Sequence, residues 1–301
     1  MVPEISEFSY GFALTNELVG WKPLCAAPIF PSLIEEGKAG GGYDVKLDWP
    51  GTPLYLQFKR ADCLTRSSAR EISKFHLELI PPFFRFGVTE RNRSLQHASL
   101  IELDDGNRLV FYAAPRFHTL NEINSAWSAG NVAQRSIFIS PSAIGEIIDD
   151  EKHAVSYDEH HTYFCSKPRA IVPTAAGELL AALQQKLRDD RRPLREQLGE
   201  WKDHIERATV RARAAQEVIK MRISGRKRVM IGDERGPPML SLDTSVVRYD
   251  RATEAPPIVP PSIETREPRA LDPSETLLRS ISDEALHQFG AQLFVVQEQP
   301  D

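Results

Sequence analysis

Three polar residues in the first hundred have the side-chain types that metal-dependent phosphodiester cleavage requires. They are Asp44, Gln57 and Lys59. A hard divalent cation binds oxygen ligands, which an aspartate carboxylate and a glutamine amide can supply. Such a cation polarises a phosphate and lowers the pKa of a bound water, and a lysine ammonium can steady the developing charge. We therefore predict a Mg²⁺ or Mn²⁺ site with Asp44 and Gln57 as ligands and Lys59 beside them.

The spacing of these residues indicates how strands would bring them together. Residues 54–59 alternate in polarity, so Leu54, Leu56 and Phe58 should share a buried face while Gln57 and Lys59 share the opposite face. Residues 43–49 form a second strand-like segment, and the Pro50-Gly51 pair between the two is a turn signal. The pattern predicts an antiparallel hairpin that carries Asp44 to the other two residues.

The surrounding segments predict an α/β core with a mixed sheet. Helical spacing or capping signals mark residues 6–19, 94–103 and 120–129, and strand-like apolar runs mark 109–114 and 136–139. A near-continuous apolar run such as 109–114 is typical of a strand that is buried on both faces. The order of helix, strands, helix and strand favours a sheet covered by helices.

These residues and their flanking elements resemble the PD-(D/E)XK nucleases, the restriction-endonuclease-like superfamily. The matching residues are Gly42-Tyr43-Asp44 followed by Gln57-Phe58-Lys59, and the resemblance covers residues 5–115. It implies a metal-dependent nuclease, acting on DNA in the style of restriction or phage-defence enzymes. The alternative that it leaves open is a catalytically inactive core retained as a nucleic-acid-binding or scaffold protein.

The chain departs from the family pattern at two positions. Tyr43 replaces a proline, and Gln57 replaces the usual acidic ligand, which lowers the negative charge of the site. A second carboxylate would then come from Glu7, Glu17 or Glu36. The family also implies nucleic-acid contacts from the helix at 94–103 and from nearby arginines; the candidates are Gln96, His97, Arg85 and Arg93. For all of these residues a solvated surface position is the competing interpretation.

Composition divides the chain into four segments. We expect a nuclease-like α/β domain at 1–172, a charged helical segment at 173–230, a proline-rich linker at 231–275 and a short amphipathic tail at 276–301. The apolar stripe Leu194, Leu198, Trp201, Ile205, Ala208 and Ala212 predicts a helical hairpin or a contact with a second copy or another protein. The basic residues between Arg207 and Arg228 either hold nucleic-acid phosphates or form a solvated face.

Charge and cysteine content limit the remaining classes. The formal net charge of -5 excludes binding of nucleic acid by bulk charge alone, although it leaves room for a local basic groove. Three widely spaced cysteines form no disulfide framework, and no apolar run is long enough to cross a bilayer. The histidines near Cys165 fit no closed zinc-site spacing. We expect a cytoplasmic protein with no membrane contact.

Overall fold

A computed structural model describes residues 2–29, 45–89, 94–104, 109–147, 149, 151–230 and 272–299. Asp44, Glu36 and Arg93 lie outside these residues, as does most of the proline-rich segment. The chain divides into two compact units, one formed by Met1–Glu217 with Asp272–Asp301 and the other by Val218–Leu271. In the second unit only residues 218–230 are described, and they are helical.

The elements alternate between helices and strands. The helices are α1 Glu7–Val19, α2 Arg70–Ser73, α3 Gln96–Leu103, α4 Leu120–Ser128, α5 Pro141–Ile144, α6 Ala176–Asp189, α7 Leu194–Met230 and α8 Pro273–Glu284, and a π-helical turn, Ala285–Phe289, follows α8. The strands are β1 Leu24–Pro28, β2 Thr52–Phe58, β3 Asp62–Leu64, β4 Phe83–Val88, β5 Leu109–Pro115, β6 Ser136–Ile139, β7 His153–Tyr157, β8 Thr162–Phe164, β9 Arg169–Ala170 and β10 Gln292–Glu298.

The described strands form two five-stranded sheets. The first has the order β1-β10-β2-β5-β6; β2 and β5 run parallel to each other, and the other described neighbours are antiparallel. The second has the order β3-β4-β7-β8-β9 and is antiparallel throughout. The mixed α/β class and the mixed first sheet are as predicted. A restriction-endonuclease-like core is a finer statement and stays a proposal.

The two faces of β2 pack against different layers, as its alternation predicts. Leu54 and Leu56 are fully buried in one apolar cluster with the inner face of α1. Tyr55 belongs to the other cluster, which includes residues of α3, the second sheet and α7. Complete burial of a leucine side chain stabilises the fold by roughly 1.5–3 kcal/mol, so this register is strongly fixed.

Helix α1 begins where the sequence predicts. Ser6 is its N-cap, and the Ser6 hydroxyl accepts a hydrogen bond of 2.9 Å from the Ser9 amide. Gly11 lets the helix lie close to the sheet, because a Cβ there would come 2.9 Å from the Phe58 ring. The helix therefore sits directly over the end of β2.

The predicted hairpin of 43–49 with 54–59 is wrong in its described part. Residues 47 and 48 form a turn instead of a strand, and the two neighbours of β2 are β10 and β5. The turn lies at residues 47–49, just before Pro50-Gly51, and it does not join two paired strands. Local pattern could not reveal β10 as a partner, because β10 lies far along the chain.

The predicted amphipathic tail at 276–301 is helical only in its first part. Gln292–Glu298 is a strand that lies between β1 and β2 in the first sheet. Leu293, Phe294, Val295 and Val296 are all fully buried there. The segment therefore completes the core of the fold.

The apolar stripe of α7 is buried within the chain itself. Leu194, Leu198, Trp201, Ile205, Ala208 and Ala212 all join the cluster that contains Tyr55. The stripe therefore packs inside the chain and is not a contact with a second copy.

In the part of the chain that is described, no helix combines the length and apolar character needed to cross a membrane.

Candidate functional site

Gln57 occupies the last inward-facing position of β2 and is almost completely buried. Its side chain is 6% exposed, and among the described residues its Oε1 atom has no hydrogen-bond partner. Leaving a buried acceptor unpaired costs about 1–3 kcal/mol. An oxygen held in this state is available to an incoming cation or donor, which is what a ligand role requires.

Lys59 continues the strand past Gln57. Its backbone amide donates to the Ala113 carbonyl at 2.8 Å, so the parallel pairing of β2 with β5 extends to it. The Lys59 amine lies 5.3 Å from the centroid of the Tyr112 ring. Burial lowers the pKa of the Lys59 amine, and the negative charge of Glu7 partly offsets that effect. The Lys59 amine thus lies over Tyr112, the residue that pairs with Gln57 between β2 and β5.

Gly290, which no sequence motif singled out, lies against two glutamines, Gln96 and Gln57. Gly290 ends the π-helical turn with a φ of 64°. A Cβ at Gly290 would come 2.0 Å from the Gln96 Nε2 atom and 3.3 Å from the Gln57 Nε2 atom. The backbone of the C-terminal segment therefore forms one wall of the site, and only glycine fits there without moving Gln96. Long-range packing carries this information, and local sequence does not.

His97 lies beside the site, but both of its ring nitrogens are engaged. The residue is 5% exposed, its Nε2 lies 2.9 Å from the Gly145 carbonyl, and its Nδ1 lies 2.8 Å from the Tyr112 hydroxyl. Since a carbonyl only accepts, Nε2 carries the proton and Tyr112 donates to Nδ1. Burial lowers the pKa of His97, and the nearby Lys59 charge lowers it further. His97 therefore supports Tyr112; its burial argues against a contact with nucleic acid, which stays a prediction.

The two described candidates for a second carboxylate have different positions. Glu7 is exposed at the first turn of α1, and its charge acts on Lys59. Glu17 lies near the other end of α1, where its carboxylate accepts from the Val132 amide at 2.5 Å and the Ala133 amide at 3.2 Å. Glu17 thus caps a neighbouring turn, and we remove it from the ligand set.

Arg85 does not join the site. It pairs with Glu71 at 2.9 Å and with Asp62 at 3.5 Å on the second sheet. Its neighbours in the strand, Phe84 and Phe86, point into the shared core, so Arg85 points away from it. Two carboxylates already balance the charge of Arg85, which argues against a phosphate contact, and its role in nucleic-acid binding stays a prediction.

The basic stretch of α7 is neutralised in part. Arg211 pairs with Glu102 at 2.9 Å. Arg213 lies 3.5 Å from the Gln288 amide oxygen. The structure does not describe side chains at 218–230, so phosphate binding and a solvated face both remain possible for the basic residues there.

The described part of the candidate site has two groups of contacts. Gln57 and Gln96 meet at Gly290, while the Lys59 amine lies over the Tyr112 ring and is affected by the charge of Glu7. Among the described residues no group of three His, Cys, Asp or Glu side chains is arranged to hold a metal ion. Comparison of the chain with protein-family models, with curated proteins and with solved structures gave no match.

Proposed function

We propose that this protein is a metal-dependent phosphodiesterase that cleaves nucleic acid, with Gln57 and Lys59 in its active site. The observation that carries the proposal is the unpaired, buried amide oxygen of Gln57, which shares a strand face with the Lys59 amine. An unpaired buried acceptor is destabilising, and such groups concentrate at functional sites.

Each residue has a role that follows from its chemistry. A bound Mg²⁺ or Mn²⁺ supplies polarisation of the phosphate and a lowered pKa for a coordinated water. Gln57 offers its amide oxygen, and Asp44 of the predicted motif offers the anionic ligand. Lys59 stabilises negative charge on the phosphate, and the negative charge of Glu7 favours the charged form of the Lys59 amine against the effect of burial. Gln96 is placed to orient Gln57 or to contact the substrate.

The test is cleavage of plasmid DNA and of DNA and RNA oligonucleotides with Mg²⁺ or Mn²⁺. Lys59→Ala should abolish cleavage, and so should a chelator. Lys74→Ala is the matched control, because Lys74 is exposed beside α2. Its cleavage should equal that of the wild type. Equal cleavage by Lys59→Ala would place the activity outside this site.

A second candidate function is a catalytically inactive, nucleic-acid-binding scaffold. The observation that favours it is the shortage of carboxylates: among the described residues Glu7 is the carboxylate whose charge acts on Lys59. This alternative predicts retention of oligonucleotides on the wild-type protein with no cleavage in either metal. It also predicts weaker retention by Lys59→Ala, because one phosphate-binding charge is lost.

A further inference from the structure

A second set of chemically active side chains meets outside this site, at the start of β7. Asp149 precedes the strand, His153 is its first residue, and Ser166 lies in the turn that joins β8 to β9. The His153 Nε2 atom lies 2.7 Å from an oxygen of Asp149. The His153 Nδ1 atom is hydrogen-bonded to the Ser166 hydroxyl. A carboxylate, an imidazole and a hydroxyl thus form one continuous chain.

The direction of each hydrogen bond follows from the carboxylate. Burial raises the pKa of Asp149, but hydrogen bonds from the Glu151 amide and from His153 outweigh it, so the pKa lies below its ordinary value. An ionised carboxylate only accepts, so the proton of neutral His153 is on Nε2. Nδ1 is then the free acceptor, and Ser166 donates to it. This is the proton arrangement of a serine nucleophile with a general base and an orienting acid.

The imidazole is held in place while the hydroxyl stays within reach of solvent. His153 is 4% exposed, and its ring stacks on Phe164 with the centroids 5.3 Å apart. Ser166 is half-buried, at a turn. The next residue, Lys167, also pairs with Asp149 at 3.3 Å, and its side chain is 61% exposed. A fixed base that is hydrogen-bonded to the hydroxyl of a half-buried turn residue is a geometry that nucleophilic catalysis uses.

We propose that Ser166 is a nucleophile for acyl transfer from carboxylic esters, with His153 as its general base and Asp149 as the group that orients His153. The Ser166 Oγ atom forms a bond to the acyl carbon, and the bond from that carbon to the leaving alcohol breaks. The hydroxyl proton passes to His153 Nδ1 and then to the alcohol. Water hydrolyses the acyl-serine by the same route and restores the free hydroxyl, so no other reactant is needed.

The experiment treats the full chain with a fluorophosphonate, which attaches to an activated serine with release of fluoride. Peptide mass spectrometry should place the adduct on Ser166. Ser140 is an internal comparator, because its hydroxyl is hydrogen-bonded directly to Asp104 with no imidazole between them. Ser140 should stay unmodified. Burst release of nitrophenol from p-nitrophenyl acetate should accompany the labelling.

Two variants test the base and the orienting group. His153→Gln should slow labelling by about 100-fold, within the range for loss of a general base. Asp149→Asn should slow it less, and its half-exposed position makes a folding defect smaller. An unlabelled Ser166 in the folded wild type, or labelling that does not depend on His153 and Asp149, would overturn the proposal. Neither outcome depends on phosphodiester cleavage.

Discussion

Replacement of Gln57 by leucine separates a functional from a structural explanation of the buried amide. Glutamine and leucine have similar volumes, so the substitution removes polar atoms and leaves little empty space. Because the Gln57 Oε1 atom has no partner among the described residues, leucine removes a group that destabilises the fold. The free energy of unfolding should rise by about 1–2 kcal/mol, near the lower end of the cost of an unpaired acceptor.

The chain offers a matched control for this substitution. Gln297 is 3% exposed, close to the 6% of Gln57, but its amide is fully paired. Its Oε1 accepts from the Lys46 amide at 2.9 Å, and its Nε2 donates to the Lys46 carbonyl at 2.9 Å and to the Pro50 carbonyl at 3.1 Å. Three hydrogen bonds at roughly 1 kcal/mol each should make Gln297→Leu less stable by about 3 kcal/mol.

The assay is urea unfolding of the wild type and both variants, followed by Mn²⁺ titration calorimetry. We expect opposite shifts in stability, with a melting temperature about 2–4 °C higher per kcal/mol for Gln57→Leu. Heat of Mn²⁺ binding should disappear in Gln57→Leu and persist in Gln297→Leu. If Gln57→Leu loses as much stability as Gln297→Leu, the Gln57 oxygen has a structural partner and the reasoning fails.

Three further predictions concern two glycines, one histidine and a cut in the chain. Gly290→Ala and Gly130→Ala should each lower the free energy of unfolding by about 1–2 kcal/mol, because both glycines have positive φ. Of these two variants only Gly290→Ala should also impair cleavage, because a Cβ at Gly290 meets Gln96 and one at Gly130 meets nothing. Equal losses of activity in the two variants would contradict this. The free energy of unfolding of the wild type should fall as the pH drops below about 6.5, because the unfolded chain takes up the proton that burial keeps off His97. His97→Gln should make this fall shallower. Parallel pH profiles of the two proteins in urea titrations would refute the prediction. Cleavage at a protease site inserted within 231–271 should yield two fragments that co-elute in size-exclusion chromatography, because β10 is paired on both edges. Separate elution would show that β10 contributes little to the stability of the first sheet.

Local elements were predictable where neighbouring residues determine them. The helix predicted at residues 6–19 lies within one stretch of sequence, and the structure has it at Glu7–Val19, although Phe8 and Phe12 are exposed on it. The alternation along β2 likewise determines which side chains are buried, and Leu54 and Tyr55 do belong to different clusters. These features need only periodicity and burial.

Features that depend on distant partners were not predictable. The apolar run at 293–296 continues a helical spacing that starts at Leu277, so its strand character was hidden. The polarity of Arg85 was visible, but its two acidic partners were not. Gly290 shows the same limit, because its contact with Gln96 joins residues that no local pattern connects. The local sequence thus predicts Gln57 and Lys59 as members of the candidate site, whereas the contact of Gly290 with Gln96 depends on long-range packing.

The position of β10 between β1 and β2 has a consequence for synthesis on the ribosome. Strands β1 and β2 emerge early, yet each has an edge that bonds only to β10, which is translated much later. Until then both edges offer unpaired amides and carbonyls to other nascent chains. Premature termination within the proline-rich stretch would leave this state permanent. Such truncated products should depend on chaperones or aggregate, so correct folding requires complete translation of the proline-rich stretch and of β10.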